Sequence, residues 1–142
     1  MQATDVRSVY ASGDAYTLTN TSTALDFGTT DPSLVLRQPG TYLLLARATL
    51  KYTGATFAAN RTVTIKISRT NNTAADVTGA TSGHITNIIT TETYTEVVII
   101  PPVLYTTTND NDTLVIKGDV TVVPTAGSLD VTESEIIAIR LF

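Results

Sequence analysis

The residues that could do chemistry in this chain are few. Its single histidine is His84, so a Ser-His-Asp or Cys-His arrangement has one imidazole to build on, and no Gly-x-Ser-x-Gly turn accompanies it. Cysteine is absent, which removes thiolate nucleophiles, thiolate ligands and disulfides together and leaves too few donors for a tight zinc site. Carboxylates remain. Glu92 and Glu96 in TETYTEV share one face of a strand at roughly 13 Å, beyond the spacing of a glycosidase pair. Glu133 and Glu135 stand roughly 7 Å apart along a strand and would suit an inverting pair only inside a cleft, for which no other residues speak.

The run Asn109, Asp110, Asn111 and Asp112 concentrates oxygen donors of the kind a hard cation prefers. It lacks the glycine and the distal glutamate of an EF-hand loop, and Asx side chains bonding their own backbone in a turn account for it without metal. It is retained as a possible ligand loop, with no metal and no cofactor expected. The expectation for the whole chain is therefore a protein that is not an enzyme.

The elements that must carry these residues read as strands. Threonine makes up about one residue in five, and no stretch shows the 3.6-residue periodicity of an amphipathic helix. In PGTYLLLARATLKYTG the even-numbered residues Tyr42, Leu44, Ala46, Ala48, Leu50 and Tyr52 form one face that a strand buries. The other face begins apolar, at Leu43 and Leu45, and turns polar at Arg47, Thr49 and Lys51, so the strand is covered on both sides at one end only. RTVTIKISRT alternates strictly, with Val63, Ile65 and Ile67 on one side. Short strands are also expected at 15–19, 24–27 and 34–37, with a turn at Gly13-Asp14, a polar loop through NNTAADVTGATSG, and an edge, bulge or break at Pro101-Pro102. Two strands close the chain, at 113–123 and 133–142. In the last, Ile137, Ile139 and Leu141 are the set assigned to the core, and the opposite face, Ile136, Ala138, Arg140 and Phe142, is not properly polar either.

These elements predict an all-β fold, a two-sheet antiparallel sandwich of jelly-roll topology, with residues 1–11 as an N-terminal arm or edge strand and 12–142 as a single domain. A length of 142 residues suffices for one core. The net charge of −4 gives no footprint for nucleic acid. The first residues show no basic segment followed by an apolar run, so neither a signal peptide nor a membrane span is expected. In a two-sheet sandwich one face of each strand fills the core, so a strand apolar on both faces must meet another body, most simply a copy of itself.

The string QPGTYLLLARATL resembles the Pro-Gly-x-Tyr strand of the tumour necrosis factor and complement globular-head superfamily, and LVIKGD and the closing apolar strand follow in the same order. That resemblance implies a trimeric jelly roll whose Gly-x-Tyr strand and final strand face the threefold axis. Within it, small cysteine-free jelly-roll trimers look like the decoration (cement) proteins of tailed-phage heads. The expectations that follow are a structural virion protein on the outer surface of the capsid, partnered by itself and by the major capsid protein. The self-association face would hold Tyr42, Leu44, Leu141 and Phe142, with periodicity alone leaving open which of Leu43 and Leu44 faces the core. An arm made of Met1, Gln2, Asp5, Val6, Arg7, Val9 and Tyr10 would reach the shell. The alternative is a receptor- or carbohydrate-binding head that presents Tyr94, Tyr105 and the 109–112 loop.

Overall fold

The computed structural model describes residues 5–28, 30–70, 76–86 and 91–142. Alternation of apolar and small polar residues gives nine strands among the described residues: β1 (Val6–Thr17), β2 (Thr23–Ala24), β3 (Leu34–Leu36), β4 (Gly40–Thr56), β5 (Arg61–Arg69), β6 (Asp76–Thr86), β7 (Glu92–Thr107), β8 (Asp112–Val120) and β9 (Ala126–Arg140). The first sheet runs β1-β9-β4-β7. The second runs β2-β8-β5-β6, with β3 also on β8. Every pairing is antiparallel, and the chain crosses between the sheets in the manner of a jelly roll.

The core lies between the sheets. Tyr42, Leu44, Leu50 and Tyr52 of β4 meet Val63, Ile65 and Ile67 of β5, Leu114 and Ile116 of β8, and Ile136 and Ala138 of β9, all fully buried. The even-numbered face of β4 is thus the core face from Tyr42 to Tyr52, Leu44 included. On β9 the expected set is inverted: Ile136 and Ala138 point inward, while Ile137 and Ile139 are half-buried on the outer side. Both sets are apolar, so alternation alone could not rank them.

Two local expectations change and a third is met. Gly13-Asp14 does not turn the chain; the register of β1 on β9 shifts between Ser12 and Tyr16, so the pair sits in a bulge within one long strand. The polar segment before His84 is not all loop: β6 pairs with β5 from Asp76 onward, and His84 stands opposite Val63. Pro101 and Pro102 form a bulge in β7, two residues facing the single Leu45, because Leu44 pairs with Val103 and Ala46 with Ile100. β7 is an edge strand, where a missing N–H costs no ladder bond.

The end of β9 is tied to the start of β4 and to Asp5. Thr41 N–H donates to the Phe142 carbonyl at 2.7 Å, Leu141 N–H to the Thr41 carbonyl at 2.8 Å, and Arg140 N–H to the Asp5 carbonyl at 2.9 Å. Arg140 also donates to the Gln38 side chain at 2.9 Å and the Pro39 carbonyl at 2.8 Å. At the other end of β9, Gly127 has φ +69°, and a Cβ there would lie 2.2 Å from the Gly54 carbonyl oxygen. Gly127→Ala must therefore displace backbone as well as occupy a left-handed conformation, and we expect it to cost about 2 kcal/mol in a urea melt. Arg61 is 1 % exposed and lies 3.5 Å from the centre of the Phe57 ring and 5.1 Å from that of Tyr52, a buried cation held on aromatic faces.

Candidate self-association face

The outward side of the first sheet can be built row by row from its register. One row is Val6, Ile139, Leu43 and Leu104; the next is Ser8, Ile137 and Leu45 beside the proline bulge; then come Tyr10, Glu135, Arg47 and Ile99, and then Ser12, Glu133, Thr49 and Val97. A further row holds Thr17, Asp130, Lys51 and Thr95. The face is apolar at one end, charged in the middle and polar at the other end. The described chain has nine large hydrophobic residues that stay exposed, and five of them, Val6, Tyr10, Val97, Ile99 and Leu104, lie here, with Leu141 and Phe142 continuing the apolar end. Only Val35 and Val123 lie elsewhere, so the exposure is a patch and not scatter.

In the charged band, Arg47 Nε donates to Glu135 at 2.9 Å and Arg47 Nη1 to Glu133 at 3.4 Å. Glu133 also accepts from the Thr49 hydroxyl at 2.9 Å and from the Tyr10 hydroxyl. The Tyr10 hydrogen bond, then Thr49 and Arg47, hold the Glu133 carboxyl below its usual range, and Glu133 in turn raises the Tyr10 hydroxyl. Beside this band Leu45, Ile99, Pro102, Glu135 and Ile137 line a shallow concavity of about 190 Å³. The two glutamates singled out by their spacing are thus brought together, but around a guanidinium that neutralises them in part, on an open face.

Several expected site residues are elsewhere. Tyr42 and Leu44 are fully buried between the sheets and cannot form a self-association face; their odd-numbered neighbours Leu43 and Leu45 are the ones on the outer side of the sheet. The Tyr42 hydroxyl is satisfied internally by the Gln38 carbonyl at 2.7 Å. Leu141 and Phe142 are 40 % and 80 % exposed at the end of the face. Val6, Arg7, Val9 and Tyr10 are not a free arm: each is paired with β9, so their backbone is committed to this sheet. Asp5 receives Arg7 Nε at 2.9 Å. Met1 and Gln2 lie outside the described residues.

The 109–112 loop divides. Asn109, Asp110 and Asn111 are exposed, and Asn111 takes a left-handed φ of 57°. Asp112 is fully buried, accepting from Arg69 Nε at 3.3 Å and from the Tyr105 hydroxyl. It is a structural carboxylate and not a member of a four-residue ligand loop. Tyr105 is committed to it, and Tyr94 stacks on Tyr52 with ring centres 4.4 Å apart, so neither tyrosine is presented as the alternative head would need. Glu96 accepts from the Tyr52 hydroxyl at 3.0 Å. Among the described residues no group of three or more His, Cys, Asp or Glu side chains is placed to hold a metal ion. The described part has no helix long and apolar enough to cross a membrane.

No family model and no curated protein sequence matches the chain. Solved structures do. That of the infectious bursal disease virus Gx strain superposes with a TM-score of 0.59 at 8 % identity, covering 98 % of this chain and 33 % of that one. Eiger TNF from S. frugiperda gives 0.54 at 14 % identity, covering 95 % and 85 %. The globular domain of zebrafish complement 1qA gives 0.53 at 11 % identity, covering 96 % of each. The chain has the fold of these jelly rolls. It spans about a third of the viral chain, and essentially the whole of the complement head domain.

Proposed function

We propose that this is a structural virion protein, a homotrimeric jelly roll that decorates the outer surface of a tailed-phage head and stabilises the shell, acting by association and not by catalysis. The observation that supports the self-association is the exposed apolar patch at one end of the outer face of the first sheet. Four strands about 4.8 Å apart and twelve residues long give a face of about 700 Å², close to the roughly 800 Å² per partner of a standard stable interface. A second copy is the occupant that fits. Packing with strands antiparallel would lay the Val6–Ile139–Leu43–Leu104 row against Lys51 and Asp130. Packing around a twofold or threefold axis that runs along the strands sets apolar rows on apolar rows. The resemblance to tumour necrosis factor and complement heads favours three copies, and the likeness to a viral structure favours a place in a virion. A trimer that binds only the mature lattice stabilises it by mass action, and three weak contacts joined rigidly hold more tightly than one.

The test is the mass of the full chain in solution by light scattering. A mass three times that of the chain is expected, and a monomer at all accessible concentrations would remove the basis of the proposal. A second reading, a receptor-binding head, is favoured by the superposition on Eiger TNF and the complement 1qA head domain. In that case the exposed tip at Asn109, Asp110 and Asn111 is a surface left for a ligand, and the trimer would persist without affinity for phage heads.

A further inference from the structure

This inference rests on the self-association reading and concerns what controls it. The titratable and charged groups on the outer face are Tyr10 from β1, Arg47 and Lys51 from β4, and Asp130, Glu133 and Glu135 from β9. The outward residues of β7 at these levels, Thr95, Val97 and Ile99, carry none. Lys51 stands opposite Asp130 in the register, and Asp130 accepts from Thr17 at 2.6 Å and Ser128 at 2.6 Å. That leaves Arg47 between two carboxylates, at 2.9 Å and 3.4 Å, a surplus of one negative charge on every copy. The band adjoins the apolar end of the face, since Arg47 and Glu135 share the concavity with Leu45, Ile99, Pro102 and Ile137.

Matching apolar row to apolar row brings this band of each copy to the same height. The second copy then strips water from a band whose net charge is negative, and its own band, with Arg47 already shared between two carboxylates, carries a surplus of the same sign. A carboxylate desolvated in this way, with a like charge near it, is more stable protonated. We propose that association through this face is proton-linked: the Glu133 and Glu135 pair of each copy takes up a proton as the face closes, so the assembly tightens as the pH falls. Glu133 has three donors, Tyr10, Thr49 and Arg47; for Glu135 the structure shows Arg47, so Glu135 is the member to alter.

The experiment is sedimentation velocity of the full chain and of Glu135→Gln between about pH 8 and pH 5, with circular dichroism confirming the fold at each step. Each proton taken up steepens the association constant by about tenfold per pH unit. The concentration at half-dissociation of the unaltered chain should therefore fall at least about tenfold over that range. Glu135→Gln keeps a hydrogen-bond acceptor for Arg47 without the surplus charge, and should associate tightly with little dependence on pH. An oligomer whose stability does not change with pH, or a Glu135→Gln variant that keeps the full slope, overturns the proton linkage and leaves self-association standing. A chain that is monomeric at every pH overturns both.

Discussion

Leu104→Glu is expected to yield a folded chain that no longer associates. Leu104 is 64 % exposed in a row whose other members, Val6, Ile139 and Leu43, are all apolar. In the isolated chain its replacement removes little buried area, so the unfolding midpoint should move by less than about 0.5 kcal/mol equivalent. In the assembly the new carboxylate would be buried against apolar rows with no cation in reach, at a cost of about 3 kcal/mol or more, at least a hundredfold in association. Ile99→Glu, 67 % exposed and next to Arg47 across the strands, should act in the same direction with a smaller effect, because Arg47 can turn toward it. Val123→Glu is the control: it is exposed between β8 and β9, away from this face, and should leave the mass unchanged. Light scattering and a urea melt on the three variants decide the matter. Loss of association with Val123→Glu, or its retention with Leu104→Glu, would place the interface elsewhere.

The same face shows how far the fold could be read from residues alone. The two-sided apolar character of β4 was visible as Leu43 and Leu45 opposite Tyr42 and Leu44, and with it the need for a second body. Which set went inward was settled by the rest of the strand: Ala46, Ala48, Leu50 and Tyr52 keep one face apolar to the end, while Arg47 and Lys51 break the other. Assigning Tyr42 and Leu44 to the interface set that continuity aside. β9 offered a weaker tie-breaker: Glu133 and Glu135 share the face of Ile137 and Ile139 with no register shift between them, whereas Arg140 interrupts the opposite set; the shift against Thr49 and Leu50 lies before Glu133. Register shifts of this kind change the parity of a strand, and nothing in composition announces them.

Long-range polar contacts were the least legible. Arg47 was read as the polar end of a strand, and Glu133 and Glu135 as a spaced pair; their meeting depends on β4 and β9 being neighbours. The burial of Arg61 between Phe57 and Tyr52 likewise follows from the crossing of two sheets. Thr abundance, by contrast, told the class early, since β-branched residues on both sides of short apolar alternations leave little but strands. Gly13-Asp14 misled because the dipeptide that favours a turn also suits a bulge, and only the pairing of both flanks with β9 distinguishes the two.

Asp112 was singled out for its oxygen atoms, and its largest measurable role should be in stability. It is fully buried at the start of β8, where its carboxylate joins Arg69 of β5 and Tyr105 of β7 and so ties the two sheets together. Burial by itself pushes the carboxyl up, but the Tyr105 and Thr107 hydroxyls and the Arg69 guanidinium outweigh it, and the net shift is below the usual carboxylate range. Burial and Asp112 together push the Tyr105 hydroxyl up to about 12, so it remains a donor throughout the accessible range. Asp112→Ala leaves a buried hydroxyl and a guanidinium without their acceptor, and should cost about 3 kcal/mol. Asp112→Asn retains one acceptor oxygen without the charge and should cost about half as much. A carboxyl depressed in the folded state adds stability that is present above its unfolded value, about 3.9, and is lost as the pH falls through the folded value. The difference in urea midpoint between the unaltered chain and Asp112→Asn should therefore be full near pH 7 and shrink below about pH 4. Comparing the two proteins cancels the acid loss from Asp31, Asp76 and Glu133, whose carboxyls are also held low. A difference that stays constant down to about pH 2 would mean that Asp112 contributes by shape and hydrogen bonding alone, and that its charge is not what joins the sheets.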